Sequence, residues 1–152
     1  MSRTVTRAAG ALLAVAALTA CSPVLTDEPY ASSDGVQLRW GENASVKGEN
    51  ILVIADAVGG DARVVGGLTN NGTEDAQITF GFTDGDTTRV TVPAGETVLL
   101  DPTSGEDVVL ADVPVQPGAV VDMTFDTPGL GTQSIAVPVL DGTLAEYADL
   151  VP

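Results

Sequence analysis

The seven residues Ala76–Phe82, AQITFGF, alternate strictly between large or apolar side chains and small or polar ones. Residues 121–126, VDMTFD, do the same: Val121, Met123 and Phe125 share one face, and Asp122, Thr124 and Asp126 share the other. A period of two is the signature of a strand with one face in the core. No stretch before residue 142 carries the three-and-four spacing of an amphipathic helix. The same reading gives further strands at Val36–Trp40, 51–58, 63–70, 89–92, Thr97–Leu100, Val108–Leu110 and 135–139. Turn residues punctuate them, with Gly59-Gly60-Asp61, "TNNGTED" at 69–75, "TDGDTT" at 83–88 and Pro93-Ala94-Gly95 at the corners. About nine short strands with turns at roughly every 8–12 residues predict an all-β fold. The expected form is an antiparallel β-sandwich, immunoglobulin-like or cupredoxin-like, with Greek-key connections. Pro138 marks 135–139 as an edge strand in this reading.

The ends of the chain break the pattern. Arg3 and Arg7 precede AAGALLAVAALTA, residues 8–20, which carries no charge. That run is too short to span a bilayer as a helix, which takes ~20 residues. A basic start, a short apolar centre and small residues before a cut site describe a secretory signal peptide. Leu18-Thr19-Ala20-Cys21 resembles the bacterial lipobox, whose cysteine sulfur receives a diacylglyceryl group. Cys21 is the single cysteine of the chain, and in this reading it is the lipidated first residue of the mature protein. The anchor consumes it, so no disulfide is available and the exported domain must stand on its core. The expected organisation is a signal peptide at 1–20, a lipidated tether at 21–34, a sandwich at 35–141 and a tail at 142–152. In the tail, Leu144, Tyr147, Ala148 and Val151 fall at helical spacing, which predicts one or two helical turns.

Charge narrows the partners. Losing Arg3 and Arg7 with the signal leaves four basic residues against 21 acidic ones, a net charge of −17. Such a surface repels nucleic acid and anionic headgroups. It suits solubility at the end of a tether, a basic protein partner or cations.

From residue 63 to residue 140 the order of parts resembles the periplasmic copper chaperones of the PCu(A)C family, and in particular their actinobacterial LpqE-like lipoprotein relatives. The matching segments are Leu68-Thr69-Asn70-Asn71-Gly72, 78–82, Pro93-Ala94-Gly95-Glu96, Pro102-Thr103-Ser104-Gly105, Asp107-Val108-Val109-Leu110, Pro117-Gly118, Met123-Thr124-Phe125 and Val137-Pro138-Val139. The resemblance implies the sandwich fold and, for copper, two His and two Met ligands. The chain contains no histidine. Asp107 and Val109 stand where the family has its His-x-Met pair, and Met123 shares a face with Val121 and Phe125, as a core residue would. No metal site of the family type and no cofactor is expected.

Other chemistry is sparse. Nucleophilic catalysis needs a base beside the nucleophile, and with no His, Cys21 consumed and Lys47 the sole lysine, no such pair can be assembled. The chain is therefore read as a non-enzyme. Asp84-Gly85-Asp86, Glu74-Asp75 and Glu106-Asp107 offer oxygen ligands for calcium, although Asp-Gly is also ordinary turn chemistry. Trp40 and Tyr147 are the candidate partner contacts, although a tryptophan here is more often a residue of the sandwich core and the Tyr147 tail could equally pack on its own domain. The expected function is that of a lipid-anchored module on the extracytoplasmic face of the cell membrane. It would be a non-catalytic accessory protein with a protein partner in the envelope. The resemblance implies a respiratory cytochrome oxidase complex as its neighbourhood. The alternative is carboxylate-based binding or delivery of calcium or copper.

Overall fold

The structure is a computed structural model and describes residues 33–152. The signal peptide, Cys21 and nearly all of the tether lie outside the described residues. Nine strands follow one another: β1 (Val36–Trp40), β2 (Val46–Ala55), β3 (Ala62–Asn70), β4 (Ala76–Phe82), β5 (Thr87–Val92), β6 (Thr97–Leu100), β7 (Val108–Leu110), β8 (Val120–Thr127) and β9 (Gly131–Leu140). Two 3-10 turns, Glu42–Ala44 and Ala148–Leu150, complete the described elements.

The all-β expectation holds. The purely antiparallel sandwich does not: the strands form one mixed sheet, rolled nearly into a barrel, in the order β5-β4-β8-β9-β2-β3-β6. The departure comes from β9. Its residues 131–138 pair antiparallel with β8, and its last two, Val139 and Leu140, pair in parallel with Val53 and Ile54 of β2. One long strand thus passes from one half of the barrel to the other, and the edge position expected from Pro138 is corrected to a central one. Pro138 stands one residue before the β2 pairing begins, so its missing donor falls where β9 changes neighbours. β1 lies along the first half of β2 on the edge that β9 takes later, while β7 and β6 share the far edge of β3.

β2 is longer at its start than the alternation suggests. Its ladder with β3 slips between Glu49 and Leu52, and Asn50 there adopts a left-handed φ of 53°. Such a bulge shifts the alternation by one residue, which hides the polar first half, VKGEN, from a period-two reading. Gly66 on β3 faces the bulge at φ 142°, and a Cβ there would lie 2.7 Å from Ile51 Cδ1 and 2.8 Å from the Asn50 carbonyl oxygen. Only glycine fits that approach.

The main core gathers Ile51, Val53, Ile78, Phe80, Phe125 and Met123 with their neighbours from every strand. Phe80 and Phe125 are direct cross-strand partners, stacked with centroids 5.3 Å apart. Met123 is fully buried among them. The run Ile51-Leu52-Val53-Ile54-Ala55 is buried throughout, which requires cover on both faces of β2. The inner face has the barrel core. On the outer face, Leu52, Ile54 and Val65 form a second cluster packed beneath Leu140, Tyr147, Leu150 and Val151. The expected tail helix is corrected here. Only the single turn Ala148–Leu150 forms, Leu144 is exposed, and the tail lies as a strap whose contacts are set by the sheet beneath it.

Candidate functional site

Asp107 and Val109, which the sequence resemblance sets against the His-x-Met pair, lie just before and within β7. Asp107 Oδ1 accepts a hydrogen bond from Arg63 Nε at 2.7 Å, and its Oδ2 lies 3.4 Å from Arg63 Nη2, a two-pronged pair. It is the one salt bridge among the described residues. Arg63 Nη1 also donates to the carbonyl of Leu150 in the tail. Val109, cross-strand from Arg63, points its apolar side chain toward solvent. A committed carboxylate and a valine cannot make a soft-ligand site, and the described residues contain no cluster of three or more His, Cys, Asp or Glu able to hold a metal. The residues at this position do not fit a copper site built of His and Met.

The turns singled out for calcium separate. Asp75 Oδ1 caps the main-chain N–H of Ala94 at 3.1 Å, and Asp107 is held by Arg63. Asp84 and Asp86, in the β4–β5 turn, line a cleft of about 650 Å³ with Asp112 and Asp122. Its apolar wall includes Phe82 and the exposed Val120, and no basic side chain lines it. The β4–β5 turn is held against β8 through the Asp122 carbonyl, which accepts from the Thr83 N–H at 3.1 Å and the Thr83 hydroxyl at 3.0 Å. Asp112, between β7 and β8, adopts φ 56°, a left-handed conformation that aspartate tolerates better than most residues. Sequence reasoning found two of these carboxylates. Asp112 and Asp122 were not found because they lie 26 and 36 residues beyond Asp86, and only the topology brings the two loops together.

Of the two roles weighed for Trp40, the structure shows the core one and not the contact one: it is 3 % exposed and packs in the main cluster, because it alternates with Leu38 on the inward face of β1. Its Nε1, like the hydroxyl of Thr127, is buried without a hydrogen-bond partner. Tyr147 is half-buried in the strap, and its hydroxyl donates to Asp34 Oδ2 at 2.6 Å. That bond, followed by burial, pushes the phenol up to about 12. The pair joins the C-terminal strap to the point where the tether enters the domain. Asp34 and Arg63 carry no sequence signal for these roles, since both partners are remote in the chain.

Two further carboxylates are tuned by their own loops. Asp101 is held below the usual carboxylate value by the N–H groups of Thr103 and Ser104 and by the Ser104 hydroxyl. Asp141, at the hinge of the strap, is lowered by the side chain and then the N–H of Thr143. Both are turn-forming carboxylates.

No family model matches the chain, and no curated protein matches it. Among solved structures, the apo PCuAC domain of PmoF1 superposes with a TM-score of 0.56 at 18 % identity, over 68 % of this chain and 98 % of that one. The apo PCuAC domain of PmoF2 gives 0.53 at 16 % identity, over 70 % and 98 %. The fold is PCuAC-like. A copper-bound PCuAC domain of PmoF2 gives 0.50 at 16 % identity, over 68 % of this chain and 99 % of that one. At these identities the likeness is one of architecture. In this chain's barrel Asp107 is in an ion pair with Arg63, and Val109 faces solvent.

Proposed function

We propose that this protein is a non-catalytic binding module, lipid-anchored through Cys21 on the extracytoplasmic face of the membrane, built on a PCuAC-like barrel without that family's copper site. The observation that carries the reading is the Asp107–Arg63 pair at the position of the expected ligands, in a chain without histidine. With metal chemistry and nucleophilic catalysis both lacking their residues, the work left to the domain is contact with another protein. The cleft of Asp84, Asp86, Asp112 and Asp122, with Val120 beside it, is the contact face this reading favours, and a basic, partly apolar partner segment is its complement. The family resemblance makes a membrane complex of the respiratory chain the first place to look.

The test is recovery of the tagged full-length protein from native membranes in mild detergent. A stoichiometric partner, lost in an Asp84→Asn/Asp122→Asn double variant, is expected. Recovery without any partner would sink the reading. A Cys21→Ser variant should move from the membrane to the soluble fraction, and its retention in the membrane would overturn the anchor. The alternative, carboxylate-based cation handling, draws on the same four aspartates. Titration with calcium or copper should leave the melting temperature unchanged, and a saturable stabilisation would favour the alternative, since a ligand specific to the native state must raise it.

A further inference from the structure

The four asparagines of the chain, Asn43, Asn50, Asn70 and Asn71, have unequal surroundings. Asn70 is buried, and its side chain is fixed by donation to the carbonyls of Glu74 and Val92 at 2.8 and 3.0 Å. The nitrogen that follows it, Asn71 N–H, is also tied, at 2.7 Å to the Ser45 carbonyl. Asn50 is held through its Oδ1 by the Gly35 N–H at 2.8 Å and is followed by the branched Ile51. Asn43 lies in the Glu42–Ala44 turn, where the next N–H, of Ala44, donates to Gly41. Asn71, in the β3–β4 turn, shares with Asn43 an exposed side chain that makes no hydrogen bond among the described residues, and differs from all three in its successor, Gly72, which has no Cβ to block the approach of its own nitrogen.

We propose that Asn71 is a site of self-modification by main-chain attack. The Gly72 nitrogen attacks Asn71 Cγ, forming a new C–N bond and losing its proton to water, and the side-chain amide leaves as ammonia. The five-membered succinimide is then opened by one water at either carbonyl, giving aspartate or isoaspartate at position 71. Water is the only co-reactant, and no electrons are exchanged with an outside agent. The step has a built-in brake. Gly72 N–H donates to Asn70 Oδ1 at 2.9 Å, so the turn must open before the nitrogen can reach its target. Once formed, the product adds a carboxylate beside Glu74 and Asp75, at the mouth of a groove of about 500 Å³ that Gly72, Thr73 and Thr127 also line. Isoaspartate lengthens the main chain by one carbon between the Asn71–Ser45 and Gly72–Asn70 bonds, which loosens the hold of Asn70 on the turn.

The experiment incubates the purified, folded full-length chain at mildly alkaline pH and follows each asparagine by peptide mapping with fragmentation that separates aspartate from isoaspartate. Conversion at position 71 should outpace each of the other three by at least about tenfold, an increment that corresponds to ~1.4 kcal/mol in barrier. An Asn71→Gln variant, whose longer side chain would need a six-membered ring, should lose the signal while keeping the same melting curve. In denaturant, conversion at 71 should accelerate as the brake is released. Conversion at 71 only after unfolding, or equal conversion at Asn43, would overturn the assignment.

Discussion

Asn70 is the polar residue on which the β3–β4 end of the barrel depends, and replacing it tests that directly. Its side chain is 1 % exposed and makes three hydrogen bonds, two as donor to the Glu74 and Val92 carbonyls and one as acceptor from the Gly72 N–H. A net contribution near 1 kcal/mol for each bond puts the loss in Asn70→Ala at about 3 kcal/mol. For a domain of this size that corresponds to a fall in melting temperature on the order of 10 °C. Asn70→Asp goes further. The carboxylate keeps the acceptor for Gly72 but turns an oxygen toward two carbonyls, buried and without a counter-charge. Its pKa in the folded state must rise above the free value of ~3.9. The protonated form can still donate once, so the penalty is small below the free value and grows as pH rises through the folded pKa. Chemical denaturation of both variants against the parent, at neutral and at acid pH, gives the comparison. At neutral pH the aspartate variant should be the less stable of the two, and the order should close or invert in acid. Equal stability of Asn70→Asp and the parent at neutral pH would refute the reasoning, as would a loss under about 1 kcal/mol in Asn70→Ala.

Truncation after Asp141 uncovers Leu52, Ile54 and Val65, and at about 1.5–3 kcal/mol for each large aliphatic side chain it should cost several kcal/mol and raise hydrophobic-dye binding; an unchanged melting curve would show that the strap is not part of the fold. Tyr147→Phe should free the end of the strap, read as faster amide exchange at residues 147–151, because the bond to Asp34 is lost. With the phenol raised to about 12, the stabilisation from that bond is full below the free tyrosine value near 10 and disappears as pH passes through 12; Asp34→Asn should return the ultraviolet titration of Tyr147 toward 10. Asp101 and Asp141, both lowered, contribute stability that is present above the free carboxylate value and lost as pH falls through their folded values, so carbon-detected titration should find both below the usual range, and a normal titration of either would contradict its turn geometry.

Much of the barrel was legible in the sequence for a simple reason: β4 and β8 have one face in the core and one in solvent, so their alternation is unambiguous. β2 was half legible. The bulge at Glu49 and Asn50 interrupts its period, and the apolar run after it is buried on both faces, which periodicity cannot orient. The parallel pairing of β9 left no local mark, since register between residues 86 apart, Val53 with Val139 and Ile54 with Leu140, is decided by the closing of the barrel. Of the one or two helical turns expected in the tail, only the turn Ala148–Leu150 forms, since eleven residues gain more from covering Leu52 and Ile54 than from a longer helix too short to stand alone. The acidic cleft could be half read, since Asp84 and Asp86 sit in one turn and their partners arrive from other loops.

Asp107 ties β7 to the strap through Arg63. A carboxylate there receives the Arg63 guanidinium, whose remaining nitrogen reaches the Leu150 carbonyl. β7, β3 and the C-terminal strap are thereby joined through one planar cation. Neutral imidazole at position 107, the form that binds metal, would leave Arg63, whose side chain is 11 % exposed, without its counter-charge. An Asp107→His variant should therefore weaken the hold of Arg63 on the strap, read as faster amide exchange at residues 147–151. The closure also rests on Arg63 aligned opposite β7, on the strap's apolar contact with Leu52 and Ile54, and on Tyr147 fastened to Asp34. The barrel is closed on this side by the strap and by the Arg63 pair beneath it.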